Sequence, residues 1–274
     1  MSQCNLCFHQ CQLNESQVGF CRARKNVNGI VIPLNYGKIT SLALDPIEKK
    51  PLRQFYPKSK ILSIGSFGCN LRCPFCQNFE ISISDEVSVH SIFMSPAEIV
   101  KKAVELIEEG NIGIAYTYNE PLIAYEYVLD CARLAHEQSL KNVLVTNGSI
   151  SEKPLSELLP YIDAMNIDLK GFTEAFYRKL NGDLQTVKRF IELSYTECHV
   201  ELTTLIIPGE NDSETEMEAE AKWIADLDPS IPLHITRFFP RYQWIDKEPT
   251  PKEVLFRLAD IARKYLVNVY VGNI

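Results

Sequence analysis

The chain has 274 residues, 46% hydrophobic and 23% charged, which suits one large domain, or a domain with an appendage, and is too long for a small disulfide-stapled scaffold. Its 28 basic and 35 acidic side chains leave a formal net charge of −7, which argues against a broad phosphate-gripping face and so against nucleic acid as a partner. No run of about 18 apolar residues is present, so no membrane-spanning helix is expected.

The opening MSQCNLCFHQC has neither the charged nor the apolar region of a secretory signal, and a cytoplasmic protein is expected. Nine cysteines are the unusual feature: Cys4, Cys7, Cys11, Cys21, Cys69, Cys73, Cys76, Cys131 and Cys198. An odd number, mostly in two tight groups near the start, suits metal or redox chemistry in a reducing compartment better than disulfides. Cys131 and Cys198 stand alone in apolar surroundings and read as buried free thiols.

Residues 1–58 read as a cysteine-rich N-terminal extension. The run Cys4-x2-Cys7-x3-Cys11-x9-Cys21, with His9 inside it, suits a tetrahedral zinc ion, an auxiliary iron–sulfur cluster or free thiols. A metal there would also help to fold a segment short of core. GIVIPLNYGKITSLALD reads as paired strands around Tyr36-Gly37, and the charged DPIEKKPL stretch (45–52) as a solvated structural lid.

From residue 59 onward strands and helices alternate. KILSIGS (60–66) is an apolar strand, and SPAEIVKKAVELIEEG (95–110) a helix capped by Ser95, with Pro96 in its first turn, Glu98 completing a capping box and Gly110 ending it. IGIAYTY (112–118) follows as a buried strand, PLIAYEYVLDCARLAHEQ (121–138) as a helix, NVLVT (142–146) as a strand. PLSELLPYI (154–162) is a short helix and DAMNIDL (163–169) a strand; TEAFYRKLNG and LQTVKRFIELSY are helical. HVELTTLII (199–207) is a β-branched strand stopped by Pro208-Gly209. Helix 213–227, strand 232–238, helix 250–266 with Thr250 as its cap, and strand 267–272 complete the series. The expected fold class is α/β, a partial (β/α)6 TIM-like barrel over 59–274, although periodicity alone also admits a doubly wound sheet. In either case the chemistry belongs at the C-terminal ends of the strands.

The segment GSFGCNLRCPFCQN (65–78) lies just there, after the first of these strands. Its cysteines, Cys69-x3-Cys73-x2-Cys76, can hold one iron–sulfur cluster, and because a [4Fe–4S] cube takes four ligands, one iron would remain open to substrate. The alternative is a zinc knuckle with a distant fourth ligand, although zinc sites usually pair C-x2-C units.

This spacing, with the aromatic Phe75 before the third cysteine, resembles the radical S-adenosylmethionine (SAM) superfamily. The resemblance implies a [4Fe–4S] cluster on Cys69, Cys73 and Cys76, and SAM bound to its open iron. It also implies one electron from a flavodoxin- or ferredoxin-type donor, and a 5′-deoxyadenosyl radical that takes hydrogen from a substrate. TYNEP (117–121) matches the stretch that contacts the methionine amine, with Glu120 in that role; its ordinary reading is a helix-start residue. TNG (146–148) brings Thr146 and Asn147, and NIDLKG (166–171) brings Asp168 and Lys170 to the ribose and carboxylate of SAM; a capping aspartate and a solvated lysine are the plainer alternative. His234 is expected at the end of its strand, against adenosine or as a satisfied structural histidine, and Arg237, Arg241 and Tyr242 follow it toward a substrate.

DLKG and LIIPGENDS (205–213) resemble the branch of the pyruvate formate-lyase activating enzyme, which acts on a protein glycine. That branch has an aspartate just before TNG, used around a monovalent cation; Val145 stands there here. CNLCFHQC…GFCRAR, YGKITSLALDPIEKKPL, GCNLRCPFCQN and LHITRFFPRY, in that order, resemble the radical SAM member of the AmmeMemoRadiSam system. This resemblance implies AMMECR1-like and MEMO1-like proteins as partners, and a short cysteine-bearing tail that does not follow VYVGNI here. The alternative of a different class is a non-enzymatic iron–sulfur or zinc scaffold.

Overall fold

The computed structural model describes residues 1–274. Its main sheet takes up β1 (Ser41–Pro46), β2 (Lys60–Gly65), β3 (Asn111–Tyr116), β4 (Lys141–Thr146), β5 (Ala164–Asp168), β6 (His199–Ile206), β7 (Leu233–Arg237) and β8 (Val269–Gly272), side by side in chain order. β2 to β8 are parallel, and β1 lies antiparallel against β2 at the edge. The strand order never reverses, so the sheet winds one way, as in a barrel, and not outward from a centre as in a doubly wound fold. β1 and β8 do not pair, and the arc stays open.

Helices fill each crossover: α1 (Pro96–Glu105) before β3, α2 (Tyr125–Glu137) before β4, α3 (Glu152–Leu158) before β5, α4 (Glu174–Lys179) and α5 (Leu184–Ser194) before β6, α6 (Glu214–Leu227) before β7, and α7 (Lys252–Ala262) before β8. Six βα units and a closing strand result. Local chemistry explains their boundaries. Ser95 and Glu98 form the reciprocal capping box at the start of α1, and Gly110 ends that segment at φ 93°. Thr173, Asp183 and Ser213 cap α4, α5 and α6 through their side chains.

Four expectations need correction. The hairpin of the extension turns at Asn28-Gly29, between strands Arg24–Val27 and Ile30–Pro33, not at Tyr36-Gly37. Both turn residues have positive φ, 52° and 82°, the conformation that an Asn-Gly pair tolerates best. SLALDP does not pair within the extension: as β1 it lies antiparallel against β2 and joins the main sheet. Thr250 does not cap α7. Its hydroxyl donates to Ile206 O at 2.6 Å and accepts from Phe238 N at 3.2 Å, tying together the ends of β6 and β7.

The fourth concerns DPIEKKPL. Because β1 runs opposite to its neighbours, the chain leaving it emerges at the N-terminal ends of the parallel strands. Ile47 and Leu52 there pack with Ile61, Ala115, Val143 and Ala164, all fully buried. The segment is a plug in the bottom of the arc and not a solvated lid. Glu201 on β6 holds it: its side chain is 0% exposed and accepts from Arg53 N at 2.9 Å and Gln54 N at 2.8 Å. His199 Nε2 and His234 Nε2 complete the set at 3.0 and 2.6 Å.

Burial by itself would raise the Glu201 pKa, but the two imidazoles and the two backbone donors outweigh it and bring it down to about 2. A depressed carboxylate stabilises the fold above its unfolded value of about 4.3, and that contribution is lost as pH falls toward 2. Glu201→Ala, which strands these donors, should cost about 3 kcal/mol or more in denaturant unfolding at pH 7. The variant's stability should also depend less on pH between about 5 and 2 than that of the wild type.

Candidate active site

At the opposite end, the loops leaving the C-terminal ends of the strands enclose a cavity of about 360 Å³. Cys69, Cys73 and Cys76 line it from the loop after β2, Glu120 from the loop after β3, Asn147 from the loop after β4, and Asp168 and Lys170 from β5 and its exit. Phe75 and Thr146 also line it.

The cysteine loop is held by partners distant in sequence. Asn119 accepts from Ser66 N at 2.9 Å and donates to Phe67 O and Gly68 O at 3.2 and 3.0 Å. Arg72 donates to Cys69 O and Leu71 O, both at 2.8 Å, while its own N–H donates to Leu180 O at 2.8 Å. Pro74 O accepts from Gln243 N and Trp244 N. Phe75, 4% exposed, packs between Phe176 and Trp244.

Burial pushes the Cys69 thiol well above its ordinary value, with Glu120 adding to the effect. Burial likewise raises Cys73 to about 12, although Lys170 pulls it the other way. Without metal these thiols stay protonated at neutral pH, so metal binding must release their protons. No three His, Cys, Asp or Glu side chains converge tightly enough to hold a single metal ion. Three thiolates on one loop can serve three irons of one cube and leave the fourth without a protein ligand, so the donor set fits a [4Fe–4S] cluster.

Glu120 is 3% exposed. Oε1 accepts from Leu122 N at 3.0 Å and from the Thr146 hydroxyl at 2.8 Å, and Oε2 accepts from Asn147 N at 2.8 Å. Burial pushes its pKa up to about 7, against those donors, with nearby Asp168 raising it further. Thr146 is therefore occupied in holding Glu120. The Asn147 amide donates to Asn70 Oδ1 at 2.9 Å and reaches Cys69 Sγ at 3.7 Å.

Asp168 and Lys170 form an ion pair at 2.8 Å. Burial acting alone would lower the Lys170 pKa, but Asp168 and Cys73 outweigh it and raise it. Asn211, from the PGENDS stretch, donates to Lys170 O and Leu205 O at 2.9 Å and accepts from Ile207 N at 2.8 Å, which fixes the DLKG turn. Sequence reasoning missed Asn119, Arg72 and Asn211 as positioning residues, because only their long-range partners give them a role.

His234 is a correction. It is the second residue of β7, not one at its end. It lies with Glu201 in the layer beneath the cavity, while Thr236, two residues on, takes the wall position. The period of two in a strand puts both side chains on the inner face at different heights. His234 is a satisfied structural histidine. Arg237, Arg241 and Tyr242 do not line the cavity: Arg237 donates to Thr250 O at 2.7 Å, and Arg241 and Tyr242 stack on Phe79.

The extension packs directly behind the cysteine loop. Cys4, Cys7 and Cys21 are each 8% exposed, and Cys4 N donates to Cys11 O at 2.9 Å. Burial raises the Cys7 thiol to about 12. No three of these side chains converge on one point. His9 sits between the rings of Phe8 and Phe20, at 4.2 and 4.1 Å, with Nε2 2.8 Å from Asn70 O; it packs and does not join the thiols.

Cys69 N donates to Cys21 O at 3.2 Å, and Gly68 beside it has φ +83° with only 2.6 Å between an added Cβ and Cys21 O. Gly68→Ala should therefore separate extension and loop. Faster proteolysis within the first 40 residues and reduced iron uptake on reconstitution are the expected readouts; wild-type proteolysis and iron content would contradict this coupling.

A profile of the radical SAM superfamily matches residues 63–221. An uncharacterized protein of Methanocaldococcus jannaschii is 40% identical over 99% of this chain and 81% of its own length. A second protein of that organism, named as a candidate glycyl-radical enzyme activating enzyme, is 29% identical over 80% of this chain and 91% of its own. Among solved structures, QueE from Escherichia coli aligns with a TM-score of 0.53 at 12% identity, covering 86% of this chain and 93% of that one. A radical SAM methyltransferase from Sphaerobacter thermophilus aligns with a TM-score of 0.56 at 17% identity, over 80% of this chain and 67% of that one. At such identities the likeness is one of fold.

Proposed function

The chain belongs to the radical SAM superfamily, and from that premise we propose which of its residues serve the cofactors and what system it works in. It is an enzyme of radical SAM type, and a [4Fe–4S] cluster and SAM are its cofactors. Cys69, Cys73 and Cys76 hold the cluster and leave one iron open. Bound there and reduced by an external donor, the cluster would supply the electron for reductive cleavage of SAM to methionine and a 5′-deoxyadenosyl radical, the species that takes hydrogen from a substrate in this superfamily.

The single observation that carries this assignment is that the three thiols, Glu120 and the Asp168–Lys170 pair all face one cavity from successive strand ends. Glu120, held by Thr146 and Asn147, offers its carboxylate to the methionine ammonium. Lys170 offers a point charge to the methionine carboxylate, and Asp168 accepts from ribose hydroxyls. Phe75 forms an apolar wall that helps to keep the site dry.

The ordered motifs favour the AmmeMemoRadiSam system, with AMMECR1-like and MEMO1-like partners and a flavodoxin- or ferredoxin-type donor in the reducing cytoplasm. A second reading, activation of a protein glycine, is favoured by DLKG with PGENDS and by the relative named for that activity. At the extension, the quartet Cys4, Cys7, Cys11 and Cys21 is a further metal site, for zinc or a second iron–sulfur cluster, since thiolates suit both.

Electron paramagnetic resonance of the anaerobically reconstituted, reduced protein tests the assignment. SAM should shift the cluster signal in the wild type, and Cys73→Ala should show no such signal. Glu120→Gln should keep the cluster while weakening SAM about tenfold in the same titration, since a charged hydrogen bond is replaced by a neutral one. A wild-type signal indifferent to SAM would contradict the open-iron assignment.

A further inference from the structure

Asn147 follows the last residue of β4, is 6% exposed, and touches both halves of the site. Its backbone N–H serves Glu120, while its side-chain amide turns to the cysteine loop. The partners of that amide fix its orientation. Oδ1 accepts from Ser149 N at 3.1 Å, across a turn that Gly148 makes at φ 64°. Nδ2 faces the other way, donating to Asn70 Oδ1 at 2.9 Å and reaching Cys69 Sγ at 3.7 Å. Asn70 is constrained in turn. It is 0% exposed, its Nδ2 donates to Ser149 O at 3.3 Å, and its carbonyl oxygen lies 2.8 Å from His9 Nε2.

A flipped Asn147 amide would set oxygen against Asn70 Oδ1 and against sulfur, and N–H against the Ser149 N–H. The network therefore allows one arrangement, in which one amide hydrogen goes to Asn70 and the other to Cys69. A second donor reaches the same sulfur, Leu71 N at 3.4 Å. A thiolate on an iron–sulfur cluster gains negative charge when the cluster is reduced, and a hydrogen bond strengthens with the charge on its acceptor. Donors aimed at a ligand sulfur thus favour the reduced form and raise the reduction potential.

On the radical SAM reading, on which this step rests, we propose that Asn147 tunes the reduction potential of the cluster through an N–H···S bond to Cys69, with Asn70 as the residue that positions it. Both amide hydrogens are committed, so the side chain serves the cluster ligand and not the ribose or carboxylate of SAM. The step it tunes is the transfer of one electron from the flavodoxin- or ferredoxin-type donor, which is oxidised as the cluster is reduced. No covalent bond forms or breaks in that step and no proton is transferred. Because the Asn147 N–H also holds the carboxylate assigned to the methionine ammonium, electron entry and cofactor binding share one short loop.

The test is a potentiometric titration of the anaerobically reconstituted protein, followed by electron paramagnetic resonance without SAM. Asn147→Leu, close in size and without a donor, should disfavour reduction about threefold to tenfold, a midpoint lower by about 30 to 59 mV for a one-electron couple. Its iron and sulfide content should stay at the wild-type level, and its iron–thiolate stretching bands in resonance Raman spectra should rise in frequency. Asn70→Ala, which releases the Asn147 amide, should move the midpoint the same way by less. Asn268→Leu, whose amide bonds Ser230 O at the surface, is the wild-type-like control. A wild-type midpoint in both Asn147→Leu and Asn70→Ala, with the cluster intact, overturns the proposal. So does a wild-type midpoint accompanied by weaker SAM binding, which would assign the amide to the cofactor. Loss of the cluster from both variants makes the pair a structural brace and overturns it as well. A failure of the radical reading appears separately, in the wild type, as a cluster that yields no 5′-deoxyadenosine.

Discussion

Three thiols have to face one cavity from a loop that has no regular hydrogen bonding of its own, and the rest of the site depends on how that loop is braced. Asn119 supplies the main clamp. It sits at the exit of β3 and bonds three consecutive backbone groups, Ser66 N, Phe67 O and Gly68 O. Arg72 fixes the middle from within, and the segment after β7 closes on Pro74 from outside. A buried polar group without a partner is expensive, so these side chains hold the backbone in the one path that points Cys69, Cys73 and Cys76 inward. The extension adds a further wall, through Cys21 O and His9.

The same logic organises the two ends of the barrel differently. At the C-terminal ends of the strands, groups are left with capacity to bind: a carboxylate kept by its neighbours, an ion pair at the mouth, and three thiols on the cavity wall. At the N-terminal ends everything is satisfied internally, through Glu201, its two histidines and the plug backbone. Lys49, Lys50 and Pro51 of the plug also border the cavity, and Lys50 is held there by Asp45 at 2.8 Å.

Much of this was legible in the sequence wherever the cause is local. Capping chemistry placed α1, and β-branched runs placed the strands. The spacing of Cys69, Cys73 and Cys76 marked the loop, and Glu120, Asp168 and Lys170 do share its cavity. What was not legible depends on contacts across the chain. Arg53 and Gln54 meet Glu201 only because β1 reverses direction, which turns an apparently solvated charged stretch into a plug. His234 was misplaced because a strand's period of two gives a face but not a height along the barrel. The Asn28-Gly29 hairpin, by contrast, has a local cause, since an Asn-Gly pair suits the positive φ values of a two-residue turn, whereas Tyr36-Gly37 joins no such hairpin.

The central claim is that the braced thiol loop and the adjoining carboxylate and ion pair form a site for reductive cleavage of SAM. The most direct measurement is 5′-deoxyadenosine, quantified by mass spectrometry after anaerobic reconstitution with iron and sulfide and addition of SAM and dithionite. The account predicts deoxyadenosine from the intact protein and none from Cys73→Ala. An assembled cluster that binds SAM yet yields no deoxyadenosine would contradict it.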